Sequence, residues 1–396
     1  MAKRTILENL KLVTMAGDIP DTTLHDDALI VVEEGIITYA EAAADYEGDR
    51  FGAIDMGGAL CLPGFVDCHN PCLWAGDVPQ STTLTGDTYR QLVRAVASST
   101  RNADDVTLVT LLEDRIDGLL RSGVTCSELK SGYGGDAQTE LRFVQLLADF
   151  ARTARIRTRI TLALGHVFQG EGDPDEFLEH LEKVIVPATY ENGNTDAIEV
   201  FCDDEGAMDL DMCSTILELY YRKKTPTRVA CDRFEDSAGA TLPVSFYARC
   251  ALYLNKSDSL DLENLSNAGT VAVIIPGALD TDGDQSLPDV SKIRNANGRI
   301  AIAPDTSAGG SQESMLQALS SGFRKLGLSA AETIAAATIN AAHALGVENE
   351  AGVIAAGRPA DLAFFSAASL DILFKNENSK CVATMCSGNL MQYSWR

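Results

Sequence analysis

Positive charge is scarce in this sequence. Lys and Arg number 32 against 57 Asp and Glu, giving a formal net charge of -25 and an isoelectric point near 4.5. Binding to nucleic acid or to an anionic membrane surface draws on clustered Lys and Arg, so this balance argues against both partners. No apolar run reaches the roughly 18 residues a membrane span needs, and Glu8 and Lys11 interrupt the only stretch that could resemble a secretory leader. The ten cysteines contain no Cys-x-x-Cys pair and sit mostly in apolar runs, as buried thiols of a reducing cytoplasm would. Absent too are a Gly-x-Gly-x-x-Gly turn, a Walker loop and a Gly-x-Ser-x-Gly elbow, which removes support for a nucleotide cofactor or a serine hydrolase. Histidine is rare, with five in the chain.

What is present is a chain of 396 residues, 45% hydrophobic, long enough for a (β/α)₈ barrel of about 250 residues and a smaller domain. Residues 1 to about 60 carry short apolar runs such as Ala28-Leu29-Ile30-Val31-Val32, separated by Asp- and Gly-rich turns, and predict a small β-sandwich. From Gly64 to about Leu345, strand-like runs alternate with helical patterns. They include Gly123 to Glu128, Arg159 to Leu164, Ala197 to Phe201, Arg228 to Cys231, Val271 to Ile275 and Ile300 to Ala303. That alternation predicts an α/β fold, a TIM-like (β/α)₈ barrel with its chemistry at the C-terminal strand ends. Strand and turn patterns return at Gly352 to Phe365. The expected division is therefore a barrel over 63–348 and a composite β-sandwich from 1–62 and 349–396.

Three strings carry a resemblance to a known family: Pro63-Gly64-Phe65-Val66-Asp67-Cys68-His69, Glu128-Leu129-Lys130-Ser131-Gly132-Tyr133-Gly134, and Gly269-Thr270-Val271-Ala272-Val273-Ile274-Ile275-Pro276-Gly277-Ala278. In these the chain resembles the imidazolonepropionases of the amidohydrolase superfamily, over nearly its whole length. The resemblance implies one metal ion, held by a His-x-His pair on the first barrel strand, a His in a His-Ala-Asp-Glu string and an Asp in an Ala-Thr-Asp string, with a further His nearby. Here Pro71 stands at the second His of the pair, Ala230 at the ligand His and Tyr253 at the further His; His69 and Asp305 remain. A catalytic zinc site uses three protein ligands, so two predict no metal and no other cofactor. Cys231 follows Ala230 and should face the opposite side of its strand, which argues against a thiolate substitute for the missing His.

The same resemblance places Tyr133, Tyr89 and His166 at substrate-contacting positions. The family's carboxylate-holding Arg is replaced by Val78, its Glu by Arg233 and its Asn by Ser307, so opening of imidazolone propionate is not the expected reaction. His166, Asp305, Tyr253 and His69 are the candidate catalytic groups, and Tyr133, Tyr89, Arg233 and Ser307 the candidate substrate-binding ones. Asp305 reads either as a desolvated acid or base or as the salt-bridge partner of Arg233.

The leading expectation is metal-independent acid–base chemistry, of lyase, isomerase, cyclase or dehydration type, on a small organic substrate, a role that specialised biosynthesis would suit. Two alternatives stand beside it: a metal-dependent cyclic-amide hydrolase with unusual ligands, and a non-catalytic binding or scaffold chain with a closed pocket and no titratable group of shifted pKa. The family resemblance implies a homodimer, and the composition a cytoplasmic protein.

Overall fold

A computed structural model describes residues 4–17, 20–78, 83–166, 173–204, 207–283, 286–312, 314–376 and 378–392. The chain begins with β1 (Arg4–Leu12), β2 (His25–Glu33), β3 (Ile36–Ala42) and β4 (Ile54–Pro63). It then forms β5 (Phe65–Asp67), β6 (Val124–Lys130), β7 (Arg157–Ala163), β8 (Ala197–Cys202), β9 (Thr227–Cys231), β10 (Cys250–Tyr253), β11 (Val271–Ile274) and β12 (Ile300–Ile302). It closes with β13 (Leu362–Phe365), β14 (Cys381–Cys386) and β15 (Asn389–Gln392).

Strands β5 to β12 make one parallel eight-stranded sheet in chain order, with helices in most of the connections. This is the TIM-like barrel the alternating pattern predicts. Parallel strands covered on both sides are buried along their whole length, which is why β6, β8, β9, β10 and β11 read as almost unbroken buried runs. Period-two alternation divides their side chains between two layers. Val66, Cys126, Ala230, Leu252, Val273 and Ala301 share the layer inside the barrel. Leu129, Leu162, Val200, Cys231, Ala272 and Ile302 share the layer beneath the helices.

A second sheet, in the order β15-β14-β13-β4-β1-β2-β3, takes strands from both chain ends. The chain crosses from this sheet into the barrel at Gly64. A Cβ there would lie 2.0 Å from the Thr125 hydroxyl, so only glycine lets β4 run into β5. Phe65 stacks on Phe365 at 5.2 Å, and Arg157 reaches both Glu350 at 2.9 Å and Asp361 at 3.3 Å, locking the two sheets together.

Part of the acidic composition has a local purpose. Asp104, Asp136, Asp173, Asp209, Asp258 and Asp289 each stand at the N-cap of a helix, and each carboxylate accepts a backbone N–H of the first turn. Among the described residues, no helix is long and apolar enough to cross a membrane.

Candidate active site

The C-terminal ends of the barrel strands bring together seven of the eight residues that the sequence singles out. His69 follows β5, Tyr133 follows β6, His166 follows β7, Tyr253 ends β10 and Ser307 follows β12; with Tyr89, from the helix Gly86–Asn102, these six line one cavity. Arg233, after β9, packs on the rings of Tyr89 and Tyr253 at 4.9 and 4.8 Å. Asp305 stands behind the lining, its Oδ1 accepting the Ser307 hydroxyl at 2.5 Å. Among the described residues the cavity measures ≈ 20 Å³, room for one water-sized molecule.

Below the cavity lies a layer of buried charge. Lys130 Nζ sits 2.9 Å from His69 Nδ1, 2.5 Å from Glu199 Oε2 and 3.3 Å from Glu128 Oε2. The Arg228 Nε lies 3.2 Å from Glu128 and 3.5 Å from Glu199, and its Nη2 donates to the Cys68 carbonyl. Two carboxylates thus face two cations, all in the barrel interior, and a fifth polar group, the Thr161 hydroxyl, donates to Glu128 at 2.5 Å. One donor atom from each of His69, Glu128 and Glu199 falls within 4.8 Å of the others, the only such grouping of His, Cys, Asp and Glu among the described residues.

The family resemblance leaves only His69 and Asp305 as metal donors, whereas the structure groups His69 with Glu128 and Glu199, which that resemblance does not mark as donors. The strand-like run read from the sequence ends at Glu128, whereas β6 runs on to Lys130, so that Glu128 and Lys130, two residues apart, point to the same side. The signal was there: Glu128, Glu199 and Arg228 interrupt runs that are otherwise apolar, and a charge in a doubly covered parallel strand needs a partner. Cys72 and Cys231, the thiols nearest in sequence, lie in the layer beneath the helices and not in the barrel interior.

Lys130 as an ammonium donates to His69 Nδ1, which leaves the ring proton of His69 on Nε2, 3.4 Å from the Tyr253 hydroxyl. Burial, together with Lys130, Arg228 and Arg233, holds His69 well below its usual pKa and therefore neutral. The strand end that delivers Tyr253 is strained: Tyr253 and Leu254 both adopt left-handed backbone angles, φ 69° and 62°.

Arg233 does not pair with Asp305. Its guanidinium forms a two-point ion pair with Asp282, Nε to Oδ2 at 3.0 Å and Nη2 to Oδ1 at 2.7 Å, while Nη1 donates to the Tyr253 hydroxyl at 3.3 Å. Phe234 completes the set of rings around it, at 4.9 Å. Asp282 is brought to Arg233 by the loop after β11, 49 residues on, and nothing in the local sequence marks it. Among the described residues, Asp305 Oδ2 is buried and has no hydrogen-bond partner. Such an atom is an acceptor held in readiness for a donor or a cation.

His166 donates to or accepts from the Tyr89 hydroxyl through Nε2 at 3.1 Å, and stacks on Tyr133 at 6.1 Å between ring centres. Burial first, then Lys130 and Arg233, push its pKa down to about 3. His166 is thus neutral throughout the physiological range. Because the folded value is depressed, this group's contribution to stability is complete above about pH 6.5 and is lost as pH falls toward 3. In a two-dimensional NMR titration the His166 ring carbons should hold constant shifts from pH 8 to 5. A midpoint near 6.5 would show an imidazole open to water.

The Ser131-Gly132-Tyr133-Gly134 loop is anchored from the side by Glu140, whose carboxylate accepts Gly132 N–H at 2.7 Å and Gly134 N–H at 2.5 Å. Glu140 is fully buried, and burial outweighs these donors to push its pKa up to about 7. Tyr133 in turn accepts the Ala308 N–H on its hydroxyl at 3.1 Å, tying the loop after β6 to the loop after β12.

A parallel barrel with this constellation at its C-terminal rim defines a member of the amidohydrolase superfamily, and residues 257–391 match the Amidohydrolase family. The fold is similar to that of the 5-methylcytosine deaminase from Klebsiella pneumoniae, with a TM-score of 0.77 over 99% of both chains at 17% identity. Within the superfamily, the chain belongs to the imidazolonepropionase family. It is 32% identical to the imidazolonepropionase of Bradyrhizobium diazoefficiens over 92% of this chain and 94% of that one. To the imidazolonepropionase of Sphingopyxis alaskensis it is 31% identical over 90% of each.

The residues present do not reproduce the family's metal position, since Pro71, Ala230 and Tyr253 offer it no imidazole. One layer lower, His69, Glu128 and Glu199 do fit a divalent cation by donor chemistry, one imidazole nitrogen and two carboxylate oxygens at ligand spacing.

Proposed function

We propose that this chain is a metal-dependent hydrolase of a small cyclic amide, with the cation held by His69, Glu128 and Glu199 in place of the family's ligands. The observation that carries this reading is the convergence of those three donor atoms within 4.8 Å at the floor of the cavity; kinship with imidazolonepropionases along nine-tenths of the chain supports it. A divalent cation so held would polarise a ring carbonyl and acidify a bound water.

The remaining groups divide the work around that floor. Tyr133 and Tyr89 are two walls of a cavity that at ≈ 20 Å³ has to widen before a flat ring can enter between them, and His166, kept neutral, shares a hydrogen bond with the Tyr89 hydroxyl through Nε2 and so fixes one wall. Ser307, whose hydroxyl donates to Asp305 Oδ1 at 2.5 Å, would relay a substrate proton to that oxygen, taking the substrate's proton as it gives up its own, so that the carboxyl becomes neutral and the negative charge stays on the substrate. Tyr253, its hydroxyl against the Arg233 guanidinium, donates toward the oxygen that gains charge. Val78 stands where the family's carboxylate-holding Arg would be and Arg233 is paired with Asp282, which favours a substrate that differs from imidazolone propionate at that end. The family's homodimer and a small organic substrate belong to this reading.

One observation favours a second reading, metal-independent acid–base chemistry: the Lys130 ammonium already sits among the same three donors. Elemental analysis separates the two. Protein exposed to zinc and dialysed should retain about one equivalent per chain, and Glu199→Gln should lose it. Retention near zero, with turnover unaffected by chelators, would leave the ammonium-filled site as the working form.

A further inference from the structure

The floor of the cavity is a cation seat with an occupant built into the chain. Lys130 Nζ lies within 3.3 Å of all three donor residues, and its side chain is 3% exposed. Its nearest contact is to Glu199 Oε2, the second to His69 Nδ1. A divalent cation bridging the same atoms would occupy the space of that nitrogen. Charge makes the same point as geometry. Glu128 and Glu199 are already balanced by Lys130 and Arg228, so a divalent cation added beside both would leave two excess positive charges in a buried layer, which is prohibitive at low dielectric. Arg228 cannot yield, because its guanidinium is also tied to the carbonyls of Cys68 and Ala344. Among the described residues the Lys130 ammonium bonds no carbonyl: Nζ meets His69, Glu199 and Glu128.

We propose that Lys130 and a divalent cation compete for one seat, so that the Lys130 side chain sets how tightly the chain holds metal. This rests on the reading of His69, Glu128 and Glu199 as a cation site. Lys130 acts as a positioning residue, keeping the three donors converged and neutralised when no metal is bound, and swinging out when one enters. The long, rotatable stem of lysine suits it to that exchange in a way the planar, forked guanidinium of arginine would not.

The test compares zinc binding by the wild-type chain, Lys130→Met and the double variant Lys130→Met with Glu199→Gln, by titration against a competing chromophoric chelator. Lys130→Met keeps the stem and removes the charge. It should bind zinc on the order of 100-fold more tightly than wild type, and the double variant should lose that gain. Affinities equal within about threefold in wild type and Lys130→Met, with binding lost in the double variant, would leave the metal site standing and overturn the competition. No zinc binding by any of the three would overturn the metal site and the competition together. Should Lys130→Met fold poorly, Lys130→Gln supplies the same comparison. An independent readout needs no variant: zinc saturation of the wild-type chain should shift the Lys130 ¹⁵Nζ resonance as the ammonium leaves its acceptors, and an unmoved resonance in zinc-saturated protein would refute the exchange.

Discussion

Arg228→Met should lower the unfolding free energy by about 3 to 5 kcal/mol, read as a fall in denaturation midpoint at unchanged slope. The side chain is 1% exposed, and the change leaves Glu128 and Glu199 facing Lys130 alone. The cost lies in the stranded carboxylates, since a buried charge without its partner keeps its desolvation penalty and loses its compensation. A second substitution, Glu128→Gln, removes one negative charge to match and should restore a large part of the loss. A fall of less than about 1 kcal/mol for the single variant would mean that the layer is wetter or looser than its hydrogen bonds imply.

Glu140→Gln should change how stability depends on pH more than it changes stability itself. The folded value of this carboxyl is pushed up to about 7 from an ordinary 4.5. A raised carboxyl favours its neutral form in the folded chain, so its contribution is fully present below about pH 4.5, declines as pH rises and is gone above about pH 7. At 1.36 kcal/mol per unit, the decline amounts to about 3 kcal/mol. The glutamine variant cannot ionise and should lack that slope, at a pH-independent cost of about 1 kcal/mol for the amide that replaces one acceptor oxygen. Denaturant melts at pH 5 and pH 8 for both proteins suffice: an equal drop in wild type and variant would show that the Glu140 carboxyl is not protonated in the folded state. Because Glu140 pins the amides on either side of Tyr133, its ionisation also bears on one wall of the cavity.

The barrel was legible in the sequence because its strands are buried on both faces and announce themselves as apolar runs between helical stretches. The approach of His69, Tyr89, Tyr133, His166, Tyr253 and Ser307 was legible through the family strings, since all but Tyr89, which comes from the helix Gly86–Asn102, sit at a loop or strand end that the barrel aims inward. The charged layer was not. Glu128 and Glu199 stand on β6 and β8, strands to which the family resemblance assigns no metal ligand, and Arg228 stands on β9 two residues before Ala230. Two further partners could not have been read at all. Arg233 meets Asp282 only because the loop after β11 folds back over β9, and Lys130 meets His69 across 61 positions of sequence. Such pairings are set by the closure of the barrel and leave no trace in local spacing.

The aspartate caps have a consequence for traffic at the rim. Asp136, Asp209 and Asp258 begin the helices that follow β6, β8 and β10, at the strand ends that carry the cavity, and Asp289 begins the second helix after β11. Bare helix starts would offer a ring of partial positive charge to an approaching anion; here each is covered by a full negative one. On a chain of net charge -25, that ring turns the entrance into a filter. Neutral and cationic solutes are gathered, anions are slowed, and added salt should narrow the difference in their rates of capture. Compounds that arrive without a negative charge are therefore the expected visitors to this cavity, read as capture rates that fall for anionic analogues and converge as salt is added.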